Sequence, residues 1–171
     1  MNIRVLDRAA TLAAAESLGE LLSDAVAGGA SVGFDSALPV AEATGWWRDV
    51  VAERVRAGAA VLLVAELDGE IAGTVQLAFP SFPNGRHRAE VAKLLVHSRR
   101  RRMGVGRALM LAVEEQARQA GRSLLILDTA GDEARRLYLE LGWQIAGDIP
   151  DFAIGAGGRL LATTFMYRRL T

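Results

Sequence analysis

Between residues 89 and 128 a buried strand, a Gly-x-Gly turn, an amphipathic helix and a second buried strand follow one another without a break. AEVAKLLV (89–96) reads as a strand, and its apolar stretch from Leu94 to Val96 predicts burial on both faces. Four arginines, Arg99 to Arg102, lead through Met103 to Gly104 and Gly106. A helix then runs from about Val105 to Ala120, with an apolar stripe of Leu109, Ala112, Val113, Ala117 and Ala120. Glu114 and Arg118 are spaced to pair on it, and Gly121 ends it. SLLILD (123–128) returns as strand. Such a chain needs a sheet with helices laid on its faces.

The remaining segments extend that sheet. IRVLD (3–7) is a short strand, and a helix is expected from about Thr11 to Val26. GGASVGFDS (28–36) is a Gly- and Ser-rich loop. Ser36 is placed to cap a second helix with Pro39 in its first turn, carrying Trp46, Trp47, Val50, Val51 and Val55 to about Arg56. VLLVAEL (61–67), Asp68-Gly69 and EIAGTVQLAF (70–79) form a hairpin with an Asp-Gly turn. Pro83-Asn84-Gly85 marks another turn. GDEARRLYLEL (131–141) is a short helix closed by Gly142. WQIAGDI (143–149) and LATTFMYRRL (161–170) are strands around an open loop at 150–159. The order describes a mixed α+β domain spanning 1–171.

Composition narrows the function. Lys+Arg and Asp+Glu are each 20, so no global field draws the chain to nucleic acid or anionic lipid. Any affinity for an anion has to be local. There is no cysteine, which removes disulfides, thiolate metal sites and a cysteine nucleophile, and with only His87 and His97 no metal is expected. Asp7 and Glu16 interrupt what would be the apolar core of a signal peptide, and no apolar run is long enough to span a bilayer. A cytoplasmic protein without membrane or nucleic-acid partners is the expectation.

The arginine run has a local explanation. A helix start offers unpaired N–H groups and the positive end of the dipole. Glycines let a phosphate approach the backbone, and arginine adds charge-assisted hydrogen bonds. Strand, R-x-x-G-x-G, helix is therefore a sensible pyrophosphate site. A P-loop is absent, and the third glycine of a dinucleotide fingerprint is replaced by Leu109.

VAKLLVHSRRRRMGVGRALM (91–110) resembles the acyl-CoA-binding motif of the GNAT N-acetyltransferases, with Arg101, Gly104 and Gly106 on its fixed positions. ARRLYLELGW (134–143) resembles the tyrosine helix and Leu-Gly-aromatic strand start of the same family. LLSDAVAGGASVGF (21–34), PNGRHRAEVAKLLV (83–96) and LDT (127–129) are similar to a narrower group, the tabtoxin-resistance acetyltransferases, which acetylate a small β-lactam amino acid. Two positions depart from the general pattern: His97 stands where proline is frequent, and Gly131-Asp132 where asparagine is frequent.

The resemblance implies a mostly antiparallel sheet of six to seven strands, helices on both faces and a splayed central pair. It implies acetyl-CoA as co-substrate, with pyrophosphate held by Arg101, Arg102, Met103, Gly104, Val105, Gly106 and Arg107. Leu94, Leu95 and Val96 would bond the pantetheine as an added strand, and an N–H near Leu95 or Val96 would face the oxyanion. Tyr138 is the candidate general acid; its helical spacing with Ala134 and Leu141 also suits core packing. Glu90 is the candidate base, or else an exposed strand carboxylate. Asp128 either relays the proton and holds the acceptor ammonium, or caps the following turn.

Trp46 and Trp47 read as core, His87 as a surface histidine near the acceptor side, and His97 as surface or a cofactor neighbour. Without cysteine, direct transfer in a ternary complex is simpler than an acetyl-enzyme route. The expected acceptor is the amine of a small molecule such as an amino-acid-like toxin or antibiotic, for a monomer or homodimer. A peptide acceptor, a non-catalytic acyl-CoA sensor and an arginine-led nucleic-acid binder are the competing readings.

Overall fold

In the computed structural model residues 1–34 and 37–170 are described. Seven strands form one sheet: β1 (Asn2–Leu6), β2 (Ala60–Leu67), β3 (Glu70–Ala78), β4 (Arg88–Val96), β5 (Leu124–Thr129), β6 (Gln144–Ile154) and β7 (Leu160–Arg169). Their spatial order is β1-β2-β3-β4-β5-β7-β6. All pairs are antiparallel except β4–β5. That pair is parallel because helix α5 (Val105–Gln119) intervenes, and a crossover returns the chain in the same direction.

Alternation along β2 divides the core in two. Leu62 and Val64 face helices α1 (Arg8–Ala13), α2 (Ala15–Ala27) and α3 (Val40–Trp46), with Leu18, Leu21, Leu22 and Trp47 fully buried there. Leu63 and Ala65 face α5 and α6 (Asp132–Glu140), against Val105, Leu109, Met110, Val113 and Ala117. Each large apolar side chain withdrawn from water contributes roughly 1.5–3 kcal/mol. The mixed α+β sheet with helices on both faces is as the sequence implied.

Several boundaries differ from the sequence reading, each for a local reason. The first helix starts at Arg8, because the Asp7 carboxylate accepts the Ala10 N–H at 2.8 Å as an N-cap, and it breaks at Ala14 into α1 and α2. Ser36 lies outside the described residues; the next helix begins at Val40 with Pro39 as N-cap. A π turn, Trp47–Val51, joins α3 to α4 (Ala52–Arg56). Residues 150–154 are not open loop but continue β6. The ladder shifts between Ile149 and Ala153, and the bulge includes Asp151 at φ 53° and gives Pro150 a place without a ladder N–H. Ala120 is exposed rather than part of the α5 stripe, whose buried members include Met110 and Val105.

Candidate active site

Two irregularities of β4 create the site. It pairs with β5 only at Arg88↔Leu124, Ala89↔Leu125 and Glu90↔Ile126. Beyond Glu90 the strands part, and each keeps only its outer neighbour, β3 or β7. Opposite β3 the register shifts between Thr74 and Gln76, so Val75 faces the extra length of Lys93 and Leu94. Lys93 takes φ 52°, a left-handed conformation for a side chain that rarely adopts it. The bulge sharpens the local twist and turns the end of β4 away from β5.

A cleft of about 880 Å³ opens from this splay. Leu94, Leu95 and Val96 form one wall, the start of α5 the floor, and Ala134, Arg136 and Leu137 of α6 the opposite wall. Leu95 is buried beneath α2, whereas Leu94 and Val96 are half-buried, because the splay removes the neighbour that would cover them. The expected burial on both faces fails here for the reason that makes the site.

Gly104 is the N-cap of α5 at φ 80°. A Cβ there would meet nothing within 4 Å, so glycine serves the backbone angle and not the space. Gly106 serves the space: a Cβ would lie 3.3 Å from Leu137 Cδ2 and 3.7 Å from Val96 Cγ2, inside the cleft. The first intrahelical bond at this end runs from the Ala108 N–H to the Gly104 carbonyl at 3.0 Å. The amides of Val105, Gly106 and Arg107 precede it and line the cleft. Free amides, a positive dipole end and uncrowded backbone fit a pyrophosphate.

The four arginines are not one patch. Arg99 turns toward His97, and Arg100 bonds Asp68 at 3.0 Å and Glu70 at 3.2 Å in the β2–β3 turn. Arg101 reaches across to the end of α2, where its Nη2 lies 3.2 Å from a Cβ built on Gly28. Arg102 pairs with Glu133 and Arg107 with Glu140, both bridges spanning the cleft to α6. Asp24 ties the approach to the cradle: it accepts from the Ser98 N–H at 2.8 Å and the Ser98 hydroxyl at 2.7 Å. His97 caps the short 3-10 turn at Ser98–Arg100 and stands 3.6 Å from Asp24.

Glu90 is exposed at the last paired position of β4. Asp128 is exposed near the end of β5 and accepts the Thr163 hydroxyl at 2.8 Å. Tyr138 points inward from α6 and packs on Trp143 at a ring separation of 6.0 Å. Burial, and then the negative charge of Asp128, push its phenol well above the ordinary tyrosine value. Tyr138 is therefore core and, at the same time, within electrostatic reach of the splay, while its neighbour Leu137 lines the cleft. His87 is exposed. The two tryptophans separate: Trp47 is fully buried, whereas Trp46 is half-buried between Phe34 and Trp47, at 5.3 and 4.9 Å.

The sequence reading passed over Lys93, whose ammonium stands 5.6 Å from the Trp46 ring centre. The signal was present, since it is the only lysine among twenty basic residues. It also passed over Asp24, whose role depends on a contact 74 residues away.

Comparison with known proteins agrees with this geometry. Residues 24–143 match the acetyltransferase (GNAT) family. An uncharacterised N-acetyltransferase of Azospirillum brasilense is 36% identical over 93 residues, 53% of each chain. The chain spans about half the length of the curated relatives it matches, 53% and 40%. A ribosomal-protein-alanine N-acetyltransferase of Brucella melitensis superposes with a TM-score of 0.82 at 26% identity, over 99% of this chain and 100% of that one. A phosphinothricin acetyltransferase of Sinorhizobium meliloti in complex with AcCoA does so at 0.82 and 21% identity, over 99% and 89%, and that likeness carries the fold alone. With its family matched from the last turn of α2 to the residue before β6, across both walls of the cleft, the chain belongs to the acetyltransferase (GNAT) family.

Proposed function

We propose that the protein is an acetyl-CoA-dependent N-acetyltransferase acting on the amine of a small molecule, by direct transfer in a ternary complex. The observation that carries the reading is the cleft itself: helix-start amides at Val105 to Arg107 face it, and the splay beyond Glu90 opens into it. When bound, acetyl-CoA supplies an activated acetyl group as a thioester. The backbone of residues 101–107 holds the pyrophosphate, and Leu94 to Val96 offer a free strand edge to the pantetheine. An N–H near Leu95 or Val96 is aimed at the carbonyl oxygen, where it stabilises developing negative charge.

The exposed carboxylates of Glu90 and Asp128 take up the acceptor ammonium and accept its proton, directly or through water. Tyr138 holds its proton firmly, as its raised pKa requires. It serves the departing sulfur as a hydrogen-bond donor, since full proton release from such a phenol to a thiolate of pKa about 8.5 is uphill. An amino-acid-like toxin or antibiotic is the favoured acceptor, supported by the resemblance at 21–34 and 83–96 to tabtoxin-resistance enzymes. Work in the cytoplasm, where acetyl-CoA is made, belongs to the same reading. The ribosomal-protein-alanine N-acetyltransferase neighbour supports a peptide amine as the second reading.

Thiol release from acetyl-CoA across amino acids, β-lactam amino acids, aminoglycosides, polyamines and peptides tests this; the cysteine-free chain adds no thiol background. Release with one class names the acceptor, and Tyr138→Phe is expected to lower that rate about 10²- to 10³-fold while acetyl-CoA still binds. Silence with every amine despite tight acetyl-CoA binding would turn the reading into an acyl-CoA sensor.

A further inference from the structure

Of twenty basic residues, nineteen are arginine and one is Lys93. A chain that elsewhere uses arginine keeps a lysine at the β4 bulge, where the strands part and where its backbone takes φ 52°. Strained positions of this kind persist only when the surrounding structure holds them, and they concentrate at ligand sites. The bulge carries the ammonium toward the helical wall. Nζ stands 5.6 Å from the Trp46 ring centre and 3.6 Å from a Cβ built on Gly33, in the loop before α3.

The surroundings leave this ammonium incomplete. It is half-buried, and the tryptophan face replaces only part of the lost water. Its three donors have no hydrogen-bond acceptor among the described residues, and Glu90 and Asp128 act on it only across a gap, as charges. Burial lowers its pKa first, and the neighbouring positive charge of Arg54 pushes the same way, while the two carboxylates hold the proton on. Glu90, Asp128 and Arg54 thus act on it as charges and none as a direct contact. Among the described residues Lys93 lacks a direct partner, and an anion would supply it.

Resting on the acetyl-transfer reading above, we propose that Lys93 is the specificity-determining residue of the acceptor side. Its ammonium, held at the bulge beside Trp46, receives the acid group of an acceptor whose amine lies at Glu90 and Asp128. A compact ammonium suits this place, because a forked guanidinium would reach past the anion into Trp46. The residue therefore selects amines that also carry an acid.

The test compares α-amino acids with their carboxamides, by acetylation rate and by calorimetric binding to the CoA-loaded protein. In the wild type the acids are preferred. Lys93→Met is expected to cut the ratio of acid to amide kcat/KM about ten- to hundredfold, the worth of a hydrogen-bonded charge. The ratio is internal to each variant, so a poorly folded variant lowers both rates and leaves it alone. An unchanged ratio in Lys93→Met would overturn the proposal and reduce Lys93 to balancing the two carboxylates. If no amine turns over, the acetyl-transfer reading fails by itself. The binding arm then still decides Lys93: a margin for acids that disappears in Lys93→Met supports it, and its persistence overturns it.

Discussion

The wall of the cleft made by β4 and α5 holds its functional groups on the main chain, at the β4 edge and at the amides of Val105 to Arg107. A second wall, at the β4 bulge and outside the residues that line the cleft, holds them on side chains: Lys93 reaching toward Trp46 of α3, and the exposed carboxylates of Glu90 and Asp128. The difference separates what a fold supplies from what an individual sequence supplies. Backbone amides bind a phosphate whatever side chains surround them, provided the angles at Gly104 and the space at Gly106 are kept. A side-chain wall is rewritten by single substitutions, so it is where members of one fold come to differ in acceptor.

That contrast can be broken by measurement. The largest effect on acetyl-CoA affinity is expected at the main-chain wall. Gly104→Ala forces a Cβ onto a left-handed cap at a cost of roughly 1–2 kcal/mol. Acetyl-CoA affinity should fall about tenfold by calorimetry, equally for every acceptor. An effect that varied with the acceptor would show that the two walls are not separable.

Tyr138 is read through stability, with acetyl-CoA affinity unchanged. Its folded pKa lies above the unfolded value, so its neutral form contributes stability fully below about pH 10 and loses it progressively as pH rises beyond. Each further pH unit removes at most about 1.4 kcal/mol. Denaturant melts should therefore show the wild type losing stability above about pH 10 that Tyr138→Phe does not lose, and a difference unaltered by pH would place the phenol in water.

The smallest effect belongs to the bridges over the cleft. Replacing Glu133 and Glu140 together by Gln frees Arg102 and Arg107. Stability should change by less than about 1 kcal/mol, and acetyl-CoA affinity should rise about two- to threefold at low salt, a gain that added salt removes.

The same contrast governs what the amino-acid sequence discloses. The cradle is local: Arg101, Gly104 and Gly106 lie within six residues, and their spacing specifies a helix start that structure reproduces at Gly104. The seven-stranded sheet was legible for a similar reason, through apolar periodicity and turn residues. The end of β6 was not, because its continuation past Pro150 depends on a bulge that only pairing with β7 reveals. The side-chain wall is harder still. Trp46 and Trp47 are adjacent and identical in type, yet one is sealed in the core and the other faces Lys93, a division made by the π turn that begins at Trp47. The arginine run divides in a way that spacing does not show: Arg99 turns to His97, and Arg100 lines the cleft while pairing with Asp68 and Glu70.

The strand order carries a consequence for how the chain is made. β7 lies between β5 and β6, so β6 has no partner in the sheet until the segment after it has been synthesised. During that interval Ile145, Ile149 and Ile154 of β6, still partly exposed in the finished fold, belong to an unpaired strand. The nascent chain thus carries its most adhesive edge at the moment before completion, and folding is safest when β7 follows without a pause.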